Sequence, residues 1–273
     1  PRHQVSLGYG NHSQIEPLFV YFMSKKNSQT GEVEYPNKKL ERMKAHHFVL
    51  AYDWSITDHL RLKIEPYYQI LDKVPVVDNT PYSMLNFMSD WTFDKKLVND
   101  GTGTNKGIDL TLERFLKNGL YFMTTASLYD SKYTGGDGKT RKTRYDGGYV
   151  VNLLGGKEWE IQDKNLLGFN LKFTFMGPYW HRPVDKSGTD LAGTIVYQEN
   201  APFDYRHSDF ESMTDLTVNY RINGIKGTST IALRLKNILG SHYMGKKYKL
   251  EDQCIENDFF TSPVPFISYK YEF

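Results

Sequence analysis

The feature that most constrains this chain is a periodicity of two that recurs in ten segments. In the third segment, for example, Leu60, Leu62 and Ile64 alternate with charged and polar residues. Such alternation is typical of a β-strand whose two faces meet different surroundings. We therefore predict ten strands, at His3–Tyr9, Ala45–Trp54, His59–Leu71, Ile108–Phe115, Leu120–Tyr129, Val150–Trp159, Leu167–Phe175, Ser212–Tyr220, Thr228–Lys236 and Val264–Phe273.

The connections between these segments alternate between long and short without exception. The long connections are 10–44, 72–107, 130–149, 176–210 and 237–263, and the short ones are 55–58, 116–119, 160–165 and 221–227. Asn118-Gly119, in the second short connection, is a strong hairpin signal. Greek-key wiring of a sandwich gives no reason for this parity. An up-and-down barrel in an outer membrane does, because its periplasmic turns are short and its extracellular loops are long.

The polar face of the predicted strands carries charges that a dry core would not tolerate. These charged residues are Arg61, Lys63, Glu65, Lys172, Arg234, Lys236 and Lys270. The opposite face is aliphatic in mid-strand and aromatic near the strand ends, where Tyr9, Trp54, Tyr220, Tyr271 and Phe273 suit an interfacial girdle. We therefore predict an all-β fold, an antiparallel up-and-down transmembrane-type β-barrel of about ten strands. The alternative is a soluble sandwich with aromatic residues inside and charges outside.

Composition excludes several function classes. The net charge is +2 with basic residues spread along the chain, so nucleic-acid binding is not implied. The densest basic run, Lys139–Arg144, follows a glycine-rich stretch and is interpreted as a solvated loop tip. Gly101-Thr102-Gly103 lacks the lysine of a phosphate-binding loop and is interpreted as a flexible loop tip. No catalytic motif, cofactor motif or metal-ligand spacing is present, so we predict neither an enzyme nor a metal site.

Three sequence motifs resemble those of TonB-dependent outer-membrane receptors. Leu233–Leu239, followed by a loop and a strand ending on an aromatic residue, is similar to the C-terminal end of that family. Asn105–Leu110 is similar to its NxGiDl pattern, and Leu7–Gly10 with Glu16–Leu18 is similar to its sYGxxxxxP segment. The order and spacing of the three motifs extend the resemblance over the whole chain.

The resemblance implies a barrel of 22 strands with an N-terminal plug, which imports a scarce nutrient with energy from the TonB complex. The chain lacks a recognisable plug, TonB box and signal peptide, so we expect residues 1–273 to be the C-terminal portion of such a barrel in a Gram-negative outer membrane. We expect this fragment to be inactive alone. Its first and last strands are a hypothetical closing pair, which would remove both unpaired edges. The transported substrate, whether siderophore, cobalamin, glycan or peptide, is not specified by the sequence.

Aromatic residues in the long connections are the candidate ligand-binding residues, because rigid rings anchor many ligands. They are Tyr82, Trp91, Tyr179, Trp180, Tyr197 and Tyr205, together with His181 beside Trp180. Tyr269, Tyr271 and Phe273 in the last segment match the signal that, in the resembling family, directs insertion by the barrel-assembly machinery. The expected partners are therefore outer-membrane lipid, the TonB complex and that machinery. The alternative function is a soluble or surface β-rich carbohydrate-binding module.

Overall fold

The computed structural model describes residues 2–87, 93–162, 164–198, 201–206 and 210–273. Strands make up 62% of it and helices 5%, which confirms the all-β class. In chain order the strands are β1 (His3–Gln14), β2 (Lys25–Lys26), β3 (Val33–Glu34), β4 (Met43–Thr57), β5 (Leu60–Val76), β6 (Val98–Lys117), β7 (Leu120–Thr134), β8 (Thr140–Lys142), β9 (Tyr149–Ile161), β10 (Asn165–Met176), β11 (Glu211–Asn223), β12 (Thr228–Lys236), β13 (His242–Lys249), β14 (Cys254–Phe260) and β15 (Val264–Glu272). The helices are α1 (Leu18–Tyr21), α2 (Lys186–Ala192) and a 3₁₀ turn at Met84–Asn86.

Ten strands form one antiparallel meander, in which each strand pairs with the next long strand of the chain. Their order across the sheet is β1, β4, β5, β6, β7, β9, β10, β11, β12 and β15, and β8 pairs with the end of β7. These ten strands correspond to the ten segments predicted from alternation. Among the described residues, β1 pairs only with β4 and β15 only with β12. The sheet therefore has two open edges, and closure through the first and last strands is not observed.

Cross-strand register places the apolar side chains of neighbouring strands opposite one another. Leu7 faces Leu50, and Leu233 faces both Val218 and Ile267. Since directly opposed residues lie on the same face of a sheet, the apolar sets join into one continuous surface. That surface is open, with exposed fractions of 81% for both Leu7 and Ile267.

The other face of the sheet carries hydrogen bonds and ion pairs between polar side chains. Nε of Arg61 donates to Asp53 at 2.9 Å, and Lys63 pairs with Glu65 at 2.7 Å. Oγ of Ser127 donates to a carboxylate oxygen of Asp109 at 2.6 Å. Charged and polar residues thus satisfy one another within and across strands, as the predicted wet face requires.

The short connections are tight turns at one end of the sheet. In the turn between β6 and β7, Asn118 and Gly119 have φ angles of 54° and 71°, which confirms the predicted hairpin. A Cβ atom at Gly119 would lie 2.1 Å from the carbonyl oxygen of Glu158, so the turn also needs glycine for space.

The long connections lie at the opposite end of the sheet and hold most of the buried residues. A hydrophobic cluster of Val20, Met84 and Leu97 joins the connection after β1 to the connection after β5. Asn37, fully buried beside it, donates to the carbonyl oxygens of Val20 at 3.1 Å and Lys95 at 2.9 Å. The packed core of this chain is therefore in the layer of connections, above the sheet. No helix among the described residues is both long and apolar enough to cross a bilayer.

Two interpretations of local sequence were wrong in whole or in part. Gly101-Thr102-Gly103, interpreted as a flexible loop tip, lies within β6, where Gly101 pairs with Val74 and Gly103 with Leu71. A Cβ atom at Gly101 would lie 2.7 Å from the carbonyl oxygen of Val74, so glycine there permits close packing of strands. The interpretation of the basic run Lys139–Arg144 as a solvated tip was wrong in part: Lys139, Thr140 and Lys142 are exposed, but the run includes β8 and ends at the half-buried Arg144.

Candidate functional site

The candidate site is a group of cationic and aromatic side chains where two long connections meet, between β7 and β9 and between β10 and β11. We call it the arginine–aromatic cluster. It consists of Lys142, Arg144, Tyr145, Asp146, Tyr179, Trp180, Arg182, Phe203 and Arg206. Four cations against one carboxylate give this group a positive formal charge.

Asp146 is the fully buried centre of the cluster. One carboxylate oxygen accepts the backbone N–H of Ser131 at 2.9 Å, and the other accepts Lys142 at 2.6 Å. Its carbonyl oxygen accepts the indole N–H of Trp180 at 2.8 Å and a guanidinium N–H of Arg206 at 2.9 Å. One residue thus ties β7, β8 and the connection after β10 together.

The ring of Trp180 is covered by cations. The guanidinium of Arg206 lies 4.2 Å from the ring centroid, and Nζ of Lys142 lies 5.6 Å from it. Each such contact contributes about 0.5–2 kcal/mol, more where water is excluded. The backbone N–H of Trp180 also donates to the carbonyl oxygen of Arg144 at 2.8 Å. Trp180 therefore holds the two connections together and keeps its ring within the positive group.

Arg144 lies between two rings. Its guanidinium carbon is 5.4 Å from the ring centroid of Tyr145 and 5.6 Å from that of Phe203. Burial lowers the pKa of Arg144, the nearby tyrosines raise it, and the positive charge of Arg182 lowers it further. The guanidinium stays protonated at any ordinary pH, and the lowering of its pKa by burial reflects the loss of water around its charge.

Tyrosine and histidine side chains form one wall beside the cluster. His181 and Tyr205 exchange backbone hydrogen bonds of 2.8 and 3.2 Å, and the His181 ring packs edge-on against Tyr243 at 4.9 Å. Burial, and then Tyr197, Tyr205 and Glu211, raise the pKa of Tyr243, so its hydroxyl remains neutral. In this wall Tyr243 is buried, and Tyr205 is partly exposed beside the cluster.

The structure brings together five of the seven predicted ligand-contact residues. Tyr179 and Trp180 belong to the arginine–aromatic cluster, and Tyr197, Tyr205 and His181 lie beside it. Tyr82 does not join them, because it packs against the hydrophobic cluster of the neighbouring connection, with Lys95 5.5 Å from its ring. Trp91 falls outside the described residues.

The predicted insertion-signal residues lie far from the cluster in the fold, at the open edge. Tyr269 and Tyr271 belong to β15, and Phe273 follows the end of that strand. All three side chains are exposed, and the rings of Tyr271 and Phe273 are 6.4 Å apart.

Sequence analysis missed the cationic half of the site. Lys142 and Arg144 were placed in a solvated tip, and Arg206 was not singled out. The available signal was that Lys139–Arg144 follows a predicted strand and directly precedes Tyr145-Asp146, whose ring and carboxylate are natural partners for cations. Contacts between distant connections, such as that of Arg144 with Phe203, leave no periodic signal in the sequence.

The described part of the chain contains no group of three His, Cys, Asp or Glu side chains placed to hold a metal ion. The chain matches no family model, no curated protein and no solved structure. Functional inference therefore depends on the geometry of the sheet and the cluster.

Proposed function

We propose that this chain forms ten consecutive strands of the barrel of a TonB-dependent outer-membrane receptor, which takes up a scarce nutrient. The observation that carries the proposal is the continuous, exposed apolar face of the sheet, opposed by a face of ion pairs and polar hydrogen bonds. The three motifs that resemble the family support it.

The apolar face needs a cover. Apolar patches on monomeric soluble proteins rarely exceed a few hundred Å², whereas this face continues across all ten strands. A lipid bilayer would cover this face, and it favours aliphatic side chains in mid-strand and aromatic ones near the strand ends. The polar face then lines the water-filled interior of the barrel.

The connections support the same orientation. Short turns at one end and long connections at the other match periplasmic turns and extracellular loops. The arginine–aromatic cluster then faces the outside, where a nutrient is captured. We propose that the other strands and the plug belong to a longer receptor, whose strands pair with the open edges of β1 and β15. Barrel assembly would recognise β15 through Tyr269, Tyr271 and Phe273, and the TonB complex would act through the plug region.

Quenching of tryptophan by brominated lipid tests whether the apolar face meets a membrane. Trp54 and Trp159 lie on that face, opposite Leu62 and Leu167, whereas Trp180 lies in the cluster. In phosphatidylcholine vesicles brominated near the head groups, we expect strong quenching in variants that keep only Trp54 or only Trp159. A variant that keeps only Trp180 should be quenched little.

Equal quenching at all three positions, or a chain that stays monomeric in water and does not float with vesicles, would contradict the membrane proposal. The second result favours the alternative of a soluble or surface β-rich binding module. Glycan binding by that lipid-free chain would then identify a carbohydrate-binding module.

A further inference from the structure

Among the described residues, the half-buried guanidinium of Arg144 makes no ion pair. Arg61 pairs with Asp53, and Arg141 donates to Asp137 at 2.9 and 2.6 Å. The rings of Tyr145 and Phe203 lie against the guanidinium of Arg144, and its buried Nε has no hydrogen-bond acceptor among the described residues. Its charge is thus partly desolvated, and aromatic rings lie against it where a carboxylate could.

The backbone of Arg144 is fixed on both sides. Its N–H donates to the side-chain oxygen of Asn86 at 2.8 Å, and its carbonyl oxygen accepts the N–H of Trp180 at 2.8 Å. These bonds anchor it to the connections after β5 and after β10. The backbone is anchored by these bonds and the guanidinium packs against two rings, so less freedom is left to lose when a further group binds.

The flanking groups define what such a site accepts. A guanidinium offers a planar fork of donors that matches a carboxylate or a phosphate. The rings of Tyr145 and Tyr179 pack edge to face at 5.6 Å and are 41% and 39% exposed, so each leaves ring surface open to a ligand. Further positive charge lies nearby at Arg206, whose guanidinium covers Trp180.

We infer that Arg144 binds the oxyanion of a small ligand, a carboxylate or a phosphate attached to a planar apolar body, and that Tyr145 and Tyr179 receive that body. This inference rests on the proposed function, because it names the class of nutrient group that the external loops recognise. The ligand's charge takes the place of an anionic partner, which the described residues do not give to Arg144.

Isothermal titration of the full chain in detergent with benzoate, phenyl phosphate and neutral benzamide tests the inference. We expect saturable binding of at least one anion with a dissociation constant near or below about 1 mM, and no measurable binding of benzamide. In Arg144→Gln the affinity should fall at least about tenfold, since a hydrogen bond to a charged group is lost. Lys139→Gln removes the same charge from an exposed position of the same run and should change it less than about twofold.

Arg144→Lys keeps the charge and loses the planar fork, so its affinity should lie between those of the wild type and Arg144→Gln. It also serves as the decisive variant if Arg144→Gln does not fold. Binding of benzoate alone identifies a carboxylate site, and binding of phenyl phosphate alone identifies a phosphate site. Equal affinity of wild type and Arg144→Lys, equal binding of benzamide, or no saturable anion binding would overturn the inference. None of these results depends on lipid quenching, so the two proposals fail separately.

Discussion

Substitution of neighbouring residues in β12 distinguishes a lipid-facing surface from a water-facing one. Leu233 is on the apolar face and lies opposite Val218 and Ile267, in the middle of three strands. Ala232, one residue earlier, points to the polar face and lies opposite Asn219 and Ser268. Arginine at either position introduces the same charged side chain. The increase in bulk is larger at Ala232 than at Leu233, so a greater loss of stability in Leu233→Arg cannot come from bulk.

The expected magnitudes are well separated. An arginine on the lipid face near the bilayer midplane costs about 2–4 kcal/mol. At a water-exposed surface a substitution usually changes stability by less than about 0.5 kcal/mol. Leu233 is 40% exposed, so in water Leu233→Arg would lose only modest contacts. Ala232→Arg places the new charge among polar neighbours on the wet face. Its expected cost is therefore small whether the apolar face meets lipid or water. A difference of about 2 kcal/mol between the variants corresponds to roughly 30-fold in the unfolding equilibrium.

Urea unfolding of the chain folded into lipid vesicles, followed by tryptophan fluorescence and extrapolated linearly, measures this difference. Leu233→Arg should lower the free energy of unfolding by at least about 2 kcal/mol more than Ala232→Arg does. If both variants unfold at the same urea concentration with equal slopes, the apolar face does not meet lipid and the reasoning fails.

Two further predictions concern the connections. A left-handed backbone alone costs a non-glycine residue about 1–2 kcal/mol. Gly119→Ala should lower the free energy of unfolding by more than this, because the new Cβ atom meets the carbonyl oxygen of Glu158. Gly138 has a φ of 70° and open space around it, so Gly138→Ala measures the backbone cost alone in the same unfolding assay. The hydrogen bond from Arg141 lowers the pKa of Asp137, so Asp137 stabilises the fold at neutral pH and this contribution disappears as the pH falls below about 4. Stability of Asp137→Asn, measured against pH, should therefore lack that acid-dependent loss, and an unchanged profile would exclude this pair as its source.

Strand positions were predictable because the alternation of polar and apolar residues within each strand shows which face meets water. The pairs Leu7 with Leu50 and Leu233 with Ile267 follow once alternation and antiparallel neighbours are accepted. The predicted segment Ile108–Phe115 was shorter than β6, since glycines at 101 and 103 break the apolar pattern while remaining in the sheet. Alternation detects side chains, and it does not detect a strand continued by backbone pairing alone.

The site was predictable only in part, and for a different reason. Tyr179 and Trp180 stand out in a long connection as large rings among polar residues. Arg144 does not stand out, because its role comes from Phe203 and Tyr145 on either side of its guanidinium. A run of basic residues is the same in sequence whether water or rings surround it, so only tertiary contacts reveal the difference.

The buried amide of Asn37 has a consequence for the layer of connections. Besides its two donated bonds, its oxygen accepts the N–H of Leu97 at 2.9 Å, so one side chain satisfies backbone groups from two connections. The connections after β1 and after β5 are thus joined by buried hydrogen bonds that form when the chain folds. Most of the entropy needed to order such a surface is then spent during folding, and capture of a ligand does not have to supply it again.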